Sequence, residues 1–206
     1  MLMKEPLSIV IQAGGESRRM GKDKGLLPFL GEPLITRVLR GVAMIADEVL
    51  VTTNQPEHYR FLSVPLFSDI VPGHGALGGL YTALKAASHP LVGVVACDMP
   101  FVSTALLTAE RNLLTSSQAD VAIPQTGEGQ EPFHAVYRKS TCLPHVYQAL
   151  LEGKWRVDSW FNQVCIQTLS PVEIQKYDPQ GLCFYNINTP EELQEAIRIA
   201  SAKNIE

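Results

Sequence analysis

No two of the four cysteines, Cys97, Cys142, Cys165 and Cys183, stand close enough to form a C-x-x-C pair. That absence argues against a zinc clamp or a dithiol redox motif and leaves reduced thiols as the expectation. No apolar run approaches the ~18 residues of a membrane span. The amino-terminal Met-Leu-Met-Lys-Glu-Pro-Leu has neither a long apolar core nor a cleavage site. A cytoplasmic protein with no membrane contact is expected. An excess of positive charge is lacking too: with 18% charged residues, a net charge of -4 and a pI near 5.7, no wide basic face for nucleic acid is implied. Small anions stay open, because a few local cations suffice for them. No internal repeat, low-complexity tract or linker interrupts the 206 residues, and 46% hydrophobic content is ample for one domain with a substantial core.

What is present begins with Ile9-Val10-Ile11, an apolar run that reads as a buried strand and is broken at once by Gly14-Gly15. The loop that follows carries Arg18, Arg19, Lys22 and Lys24 against Glu16 and Asp23, a local balance of +2 (four cations less two carboxylates). Glycines admit backbone N–H groups close to a ligand, and the cations neutralise its charge. A nucleotide held by its phosphates is the expectation. Two familiar phosphate loops do not fit. The dinucleotide fingerprint needs G-x-G-x-x-G, but Gly14 and Gly15 are adjacent. The Walker loop needs Lys followed by Ser or Thr, but Asp23 follows Lys22.

Further along, Pro33 opens a helix whose apolar stripe is Leu34, Ile35, Val38, Leu39 and Val42. Val49 to Asn54 reads as a second strand with Thr52 and Asn54 at its polar end, suited equally to turn chemistry or ligand contact. Val64 to Asp69 reads as a third. Pro72, Gly73, Gly75, Gly78 and Gly79 suggest a loop able to lie against a ring or a phosphate, with a helix from about Leu80 to Ala87. Pro90 to Cys97 is the strongest buried-strand signal and stops at Asp98. A carboxylate there either caps the turn or serves magnesium, which favours one or two carboxylates plus substrate phosphates. Strands alternating with helices predict an α/β fold with a mostly parallel sheet and helices on both faces. In such a sheet Gly14-Gly15, Thr52, Asp69 and Asp98 converge at one edge.

The second half changes character. Asp120 to Pro124 and Glu131 to Arg138 read as strands, with His134 either touching a second substrate or satisfied between strands. A helix follows from about Ser140 to Leu151. Trp155 and Trp160 read as packing residues. Thr189 and Glu192 form a capping box with Pro190 at the first helical position, and Leu193, Ile197 and Ala200 face inward. Asn186 and Asn188 alternate just before it and share one face.

The run Ala13-Gly14-Gly15-Glu16-Ser17-Arg18-Arg19-Met20-Gly21-Lys22-Asp23-Lys24 closely resembles the signature A-G-G-x-S-x-R-M-G-x-D-K of the small nucleotidyltransferases, above all the molybdenum cofactor guanylyltransferases. Gly25-Leu26-Leu27 and Gly31-Glu32-Pro33-Leu34 continue the match. Pro132-Phe133-His134-Ala135-Val136-Tyr137 resembles the family's P-L-H-A-V-Y, and Gly153 to Val157 its basic turn before a further helix. Asn186 to Leu193 resembles its N-x-N-T-P-E-E/D-L ending. Gln12 departs from the usual leucine and Ala76 from a common proline, whereas Ala13-Gly14-Gly15 stands where CTP-using relatives carry A-A-G and so favours guanine.

The resemblance implies a single Rossmann-like nucleotidyltransferase domain over residues 1–206, with a nucleotide half at about 8–118 and an acceptor half at about 119–206. It implies transfer of GMP from Mg-GTP to the terminal phosphate of molybdopterin, with transient contacts to other proteins of molybdenum cofactor synthesis. The backbone of Gln12, Ala13, Gly14 and Gly15, with Thr52 and Asp69, would hold the nucleotide. Lys24 would bind phosphate, Asp98 would coordinate Mg2+, and Arg18 and Arg19 would support the leaving group. Asn186 and Asn188 would meet the acceptor. Alternatives are a cytidylyltransferase acting on molybdopterin or another small phosphate, and a non-catalytic nucleotide-binding regulator. Lys24 and Asp98 together argue against the regulator, since a sensor needs no leaving-group cation.

Overall fold

Strand β1 (Leu7–Gln12) is buried at every residue because it is paired on both edges and covered on both faces. A computed structural model describes residues 5–14 and 23–202 of the chain. Gly15, Arg18 and Arg19, with the rest of residues 15–22, lie outside the described residues. Two short strands, β2 (Pro28–Phe29) and β3 (Glu32–Pro33), form a small hairpin ahead of α1 (Leu34–Ala43). Next come β4 (Glu48–Thr52), β5 (Leu66–Phe67), α2 (Gly75–Ala86), β6 (Leu91–Ala96) and α3 (Thr104–Ser116). Then follow β7 (Val121–Pro124), β8 (His134–Arg138), α4 (Lys139–Leu151), β9 (Ile166–Leu169), α5 (Pro171–Tyr177) and α6 (Pro190–Ala202).

The main sheet runs β5-β4-β1-β6-β8-β7-β9. Strand β8 is antiparallel to both its neighbours, while the other pairings are parallel. The mostly parallel α/β expectation is met, with one reversed strand. That reversal has a consequence for the site: β8 presents its amino end at the edge where the parallel strands present their carboxyl ends. After β1 the chain builds outward through β4 and β5, then returns to place β6 on the other side of β1. This is a topological switch point, where open α/β sheets take their ligands.

Side chains alternate across the sheet as period-two geometry requires. Val10, Leu50 and Val94 pack under Leu77, Leu80 and Leu84 of α2 and Val146 and Leu150 of α4. Ile9, Ile11, Val51 and Val95 face Ile35, Val38 and Val42 of α1 and Leu107 and Leu114 of α3. Helix α6 buries Ala196 and Ala200 with Ile187 against Phe29 and Leu34. Its start is the expected capping arrangement: the Glu192 amide donates to Thr189 Oγ1 at 3.1 Å, and the Thr189 amide donates to the Glu192 carboxylate at 2.9 Å.

Three local expectations are corrected. The glycine-rich stretch before Leu80 is not all loop, because α2 begins at Gly75. Gly78 and Gly79 serve close packing instead: a Cβ on Gly78 would lie 3.0 Å from the Val71 carbonyl, and one on Gly79 2.9 Å from Gln12 Nε2. The helix expected after Val157 is only a 3-10 turn, Phe161–Gln163. Trp160 is buried as expected, but Trp155 is 62% exposed and is not a packing residue. Strand β9 and helix α5 were not read from the sequence. Their signal was there, since Ser170 and Glu173 form a reciprocal capping box with Pro171 at the first turn.

Candidate active site

A cavity of about 810 Å³ opens at the carboxyl edge of the sheet. Its walls follow from the topology. Gln12 to Gly14 leave β1, Thr52 ends β4, Asp69 lies just past β5, and Asp98 follows β6. Gly14, Thr52, Asp69 and Asp98 therefore meet in one place, as expected. Phe133 and Glu131 join them because β8 is reversed.

The centre of this cavity is an ion pair. Lys24 Nζ donates to Asp98 Oδ2 at 2.8 Å, with the two side chains 23% and 15% exposed. Lys24 Nζ also donates to Asn188 Oδ1 at 2.5 Å, and the Ile187 amide donates to the Asp98 carbonyl at 3.0 Å. The segment before α6 thus grips both members of the pair. Asn188 is held in turn, because its amide donates to the Glu192 carboxylate at 2.6 Å.

Lys24 starts a 3-10 turn, Lys24–Leu26, capped by Asp23, whose Oδ1 accepts from the Gly25 amide at 3.1 Å. The same carboxylate accepts from the hydroxyl of Tyr59, which is fully buried. Burial and the adjacent carboxylate push the Tyr59 phenol well above its ordinary range, so it stays protonated and donates to Asp23. Tyr59 was not found from the sequence. It sits in the 3-10 segment Pro56–Leu62 with no motif to mark it.

Thr52 is 2% exposed, and Asn54 pairs with Asp69 through both groups of its amide: Nδ2 donates to Oδ2 at 2.9 Å, and Oδ1 accepts from the Asp69 amide at 3.1 Å. Gln12 is 8% exposed, and its Nε2 is buried with no partner among the described residues. Asn186 lines the cavity, and its Nδ2 donates to the Phe184 carbonyl at 3.1 Å. Cys97 also lines the wall, but burial and the neighbouring Asp98 raise its thiol well above the usual range, so it is no thiolate nucleophile. Burial likewise raises the carboxyl of Glu131.

His134 is buried away from the cavity, yet only one of its ring nitrogens is satisfied, since Nε2 is buried with no partner among the described residues. It is fully buried on the α3 side, with Nδ1 3.0 Å from Glu110 Oε1 and its ring edge-on to Phe184. Burial raises the Glu110 carboxyl to about 7, with His134 holding it down.

The donor set can be weighed against a metal ion. Among the described residues no group of three or more His, Cys, Asp and Glu could hold one. Yet Asp98 Oδ2 and Asn188 Oδ1 already converge on a cation, the Lys24 ammonium. One carboxylate, one amide oxygen and room for phosphate fit a magnesium ion that arrives with a polyphosphate. Among the described residues no helix is long and apolar enough to cross a membrane.

Residues 9–165 match the family model described as the MobA-like NTP transferase domain. A protein named probable molybdenum cofactor guanylyltransferase from Peptoclostridium acidaminophilum is 35% identical over 193 residues, covering 91% of this chain and 87% of that one. A molybdenum cofactor guanylyltransferase from Desulfosudis oleivorans is 32% identical over 188 residues, covering 91% and 92%. Among solved structures, molybdopterin-guanine dinucleotide biosynthesis protein A from Archaeoglobus fulgidus superposes with a TM-score of 0.82 at 25% identity, covering 95% of this chain and 99% of the other.

Proposed function

Because this chain belongs to the MobA-like NTP transferase family, we propose that it transfers GMP from magnesium-bound GTP to the terminal phosphate of molybdopterin. A phosphate oxygen of the acceptor attacks the α-phosphorus of GTP. The bond from that phosphorus to the α,β-bridging oxygen breaks, and pyrophosphate leaves with the electron pair. The nucleophile is already an anion, so no general base is required. The barrier lies in bringing two anions together and stabilising charge on the leaving group, which is electrostatic and positional work.

Lys24 neutralises the triphosphate and the departing pyrophosphate. Arg18 and Arg19 would support the leaving group. Asp98, with Asn188 beside it, would hold the magnesium ion, which supplies charge neutralisation and orientation of the phosphates when bound. Gln12, Ala13, Gly14, Gly15, Thr52 and Asp69 hold the nucleotide, and Asn186 and Asn188 lie toward the acceptor. The observation that carries the reading is the Lys24–Asp98 pair, set in the cavity at the switch point of the sheet.

Pyrophosphate release from GTP that depends on both molybdopterin and a divalent cation is the expected result. The relatives' names favour guanine over the cytidylyl alternative. Faster release from CTP than from GTP would overturn the guanine assignment, and GTP binding with no release under any acceptor would favour the regulator.

A further inference from the structure

Trp155 is 62% exposed, yet its indole is fixed, lying on the His74 imidazole with centroids 5.5 Å apart and planes inclined by 23°. His74 is the residue before α2, whereas Trp155 follows α4, so the stack ties two helices together beside the cavity. The ring is part of the cavity wall, as is Phe133. One face of the indole is taken by His74. With most of the residue exposed, the opposite face is open to a planar partner, and a fixed aromatic face costs little further ordering when a ring stacks on it.

The strand order says which substrate supplies that ring. Thr52 and Asp69 follow β4 and β5, on one side of β1. Asp98 follows β6, on the other side. Phe133 leads into β8, beyond β6, and Trp155 follows the helix that β8 feeds. Phe133 and Trp155 therefore come from the half of the chain beyond β6, and His74 meets Trp155 from the segment between β5 and α2. We propose that Trp155, braced by His74, is the stacking platform for the planar pterin ring of the acceptor. This assignment rests on the functional reading above and deepens it. An acceptor gripped by its phosphate alone could swing about that end; a ring held against the indole fixes the direction from which its phosphate approaches the α-phosphorus.

The test is steady-state pyrophosphate release by W155A and W155F, with GTP and molybdopterin varied separately. Stacking of a heterocycle on an aromatic side chain is worth about 5- to 150-fold in affinity. W155A is expected to raise the KM for molybdopterin by at least about fivefold with the KM for GTP unchanged, and W155F to recover most of that loss. An unchanged KM for molybdopterin in W155A overturns the assignment. So does a rise confined to GTP, which would make the stacked ring the nucleobase. Absence of any molybdopterin-dependent release by the wild-type protein overturns the functional reading and this assignment with it, an outcome distinguishable from a silent W155A.

Discussion

The ammonium of Lys24 and the carboxylate of Asp98 lie 2.8 Å apart although 74 positions separate them in the chain. One ends the signature loop and the other ends a central strand, and neither is fully buried. A pair this accessible contributes little to stability on its own. In the proposed reaction its value would be as a preset charge arrangement for a triphosphate and its metal ion.

K24A and D98N are accordingly expected to fold and to fail in turnover. Loss of one preorganised electrostatic contact in comparable sites lowers kcat by about 100- to 1,000-fold. Pyrophosphate release measures the rate, and far-ultraviolet circular dichroism with a melting curve measures the fold. D98N turning over near the wild-type rate would remove Asp98 from the mechanism.

A second prediction concerns Gly25. A Cβ there would stand 2.6 Å from the Tyr59 hydroxyl oxygen and 3.2 Å from a ring carbon. The ring has nowhere to retreat, being fully buried and hydrogen-bonded to Asp23. G25A should therefore cost about 1–3 kcal/mol by overpacking. Adding Y59F to G25A removes the closest contact, so the double variant should be more stable than the two single losses sum to, by at least about 0.5 kcal/mol in urea unfolding. Simple additivity would contradict the steric account.

Gly79 tests the opposite balance. Alanine is favoured over glycine inside a helix by about 1 kcal/mol, but its Cβ would meet Gln12 Nε2 at 2.9 Å. The carboxamide is the free end of a flexible side chain and yields into the cavity. G79A is expected to melt close to wild type while weakening GTP binding about fivefold, a change of about 1 kcal/mol measurable by titration calorimetry. Shortening the obstructing side chain in Q12A/G79A should recover part of the loss. Unchanged GTP affinity in G79A would show that Gln12 has room to move aside.

The fourth prediction is a pH dependence of stability from the Glu110–His134 pair. Burial lifts the Glu110 carboxyl from an ordinary value of 4.5 to about 7 in the folded protein. Between those values the folded state keeps a proton that the unfolded state has released. The contribution of Glu110 to stability is therefore full below about 4.5 and is lost as pH rises through about 7, at up to about 1.4 kcal/mol per pH unit for one proton. E110Q cannot titrate and should flatten that part of the profile in urea unfolding. A wild-type profile that rises monotonically from pH 4.5 to 7 with the same slope in E110Q would refute it.

Much of this arrangement was legible in the residue order. Gly14, Thr52, Asp69 and Asp98 each follow an apolar run, and the rule that parallel strands share a carboxyl edge brings them together. Thr189, Pro190 and Glu192 announced the start of α6 because capping is a local matter of side chains within one turn. Gly78 and Gly79 misled for the complementary reason. A glycine that opens a loop and one that lets a helix approach Gln12 look alike until the neighbour is placed. Trp155 misled as well, since hydrophobic character alone does not say which indole is covered: Trp160 is buried and Trp155 is not.

The order of residues determined the alternation of strands and helices and the caps, because each depends on interactions spanning only a few positions. Only the folded arrangement decided that Tyr59 holds Asp23, that Asn188 reaches Lys24, and that a reversed β8 brings Phe133 to the cavity rim. Those contacts join segments with no fixed distance along the chain, so their partners are set by the packing of whole elements rather than by any local pattern.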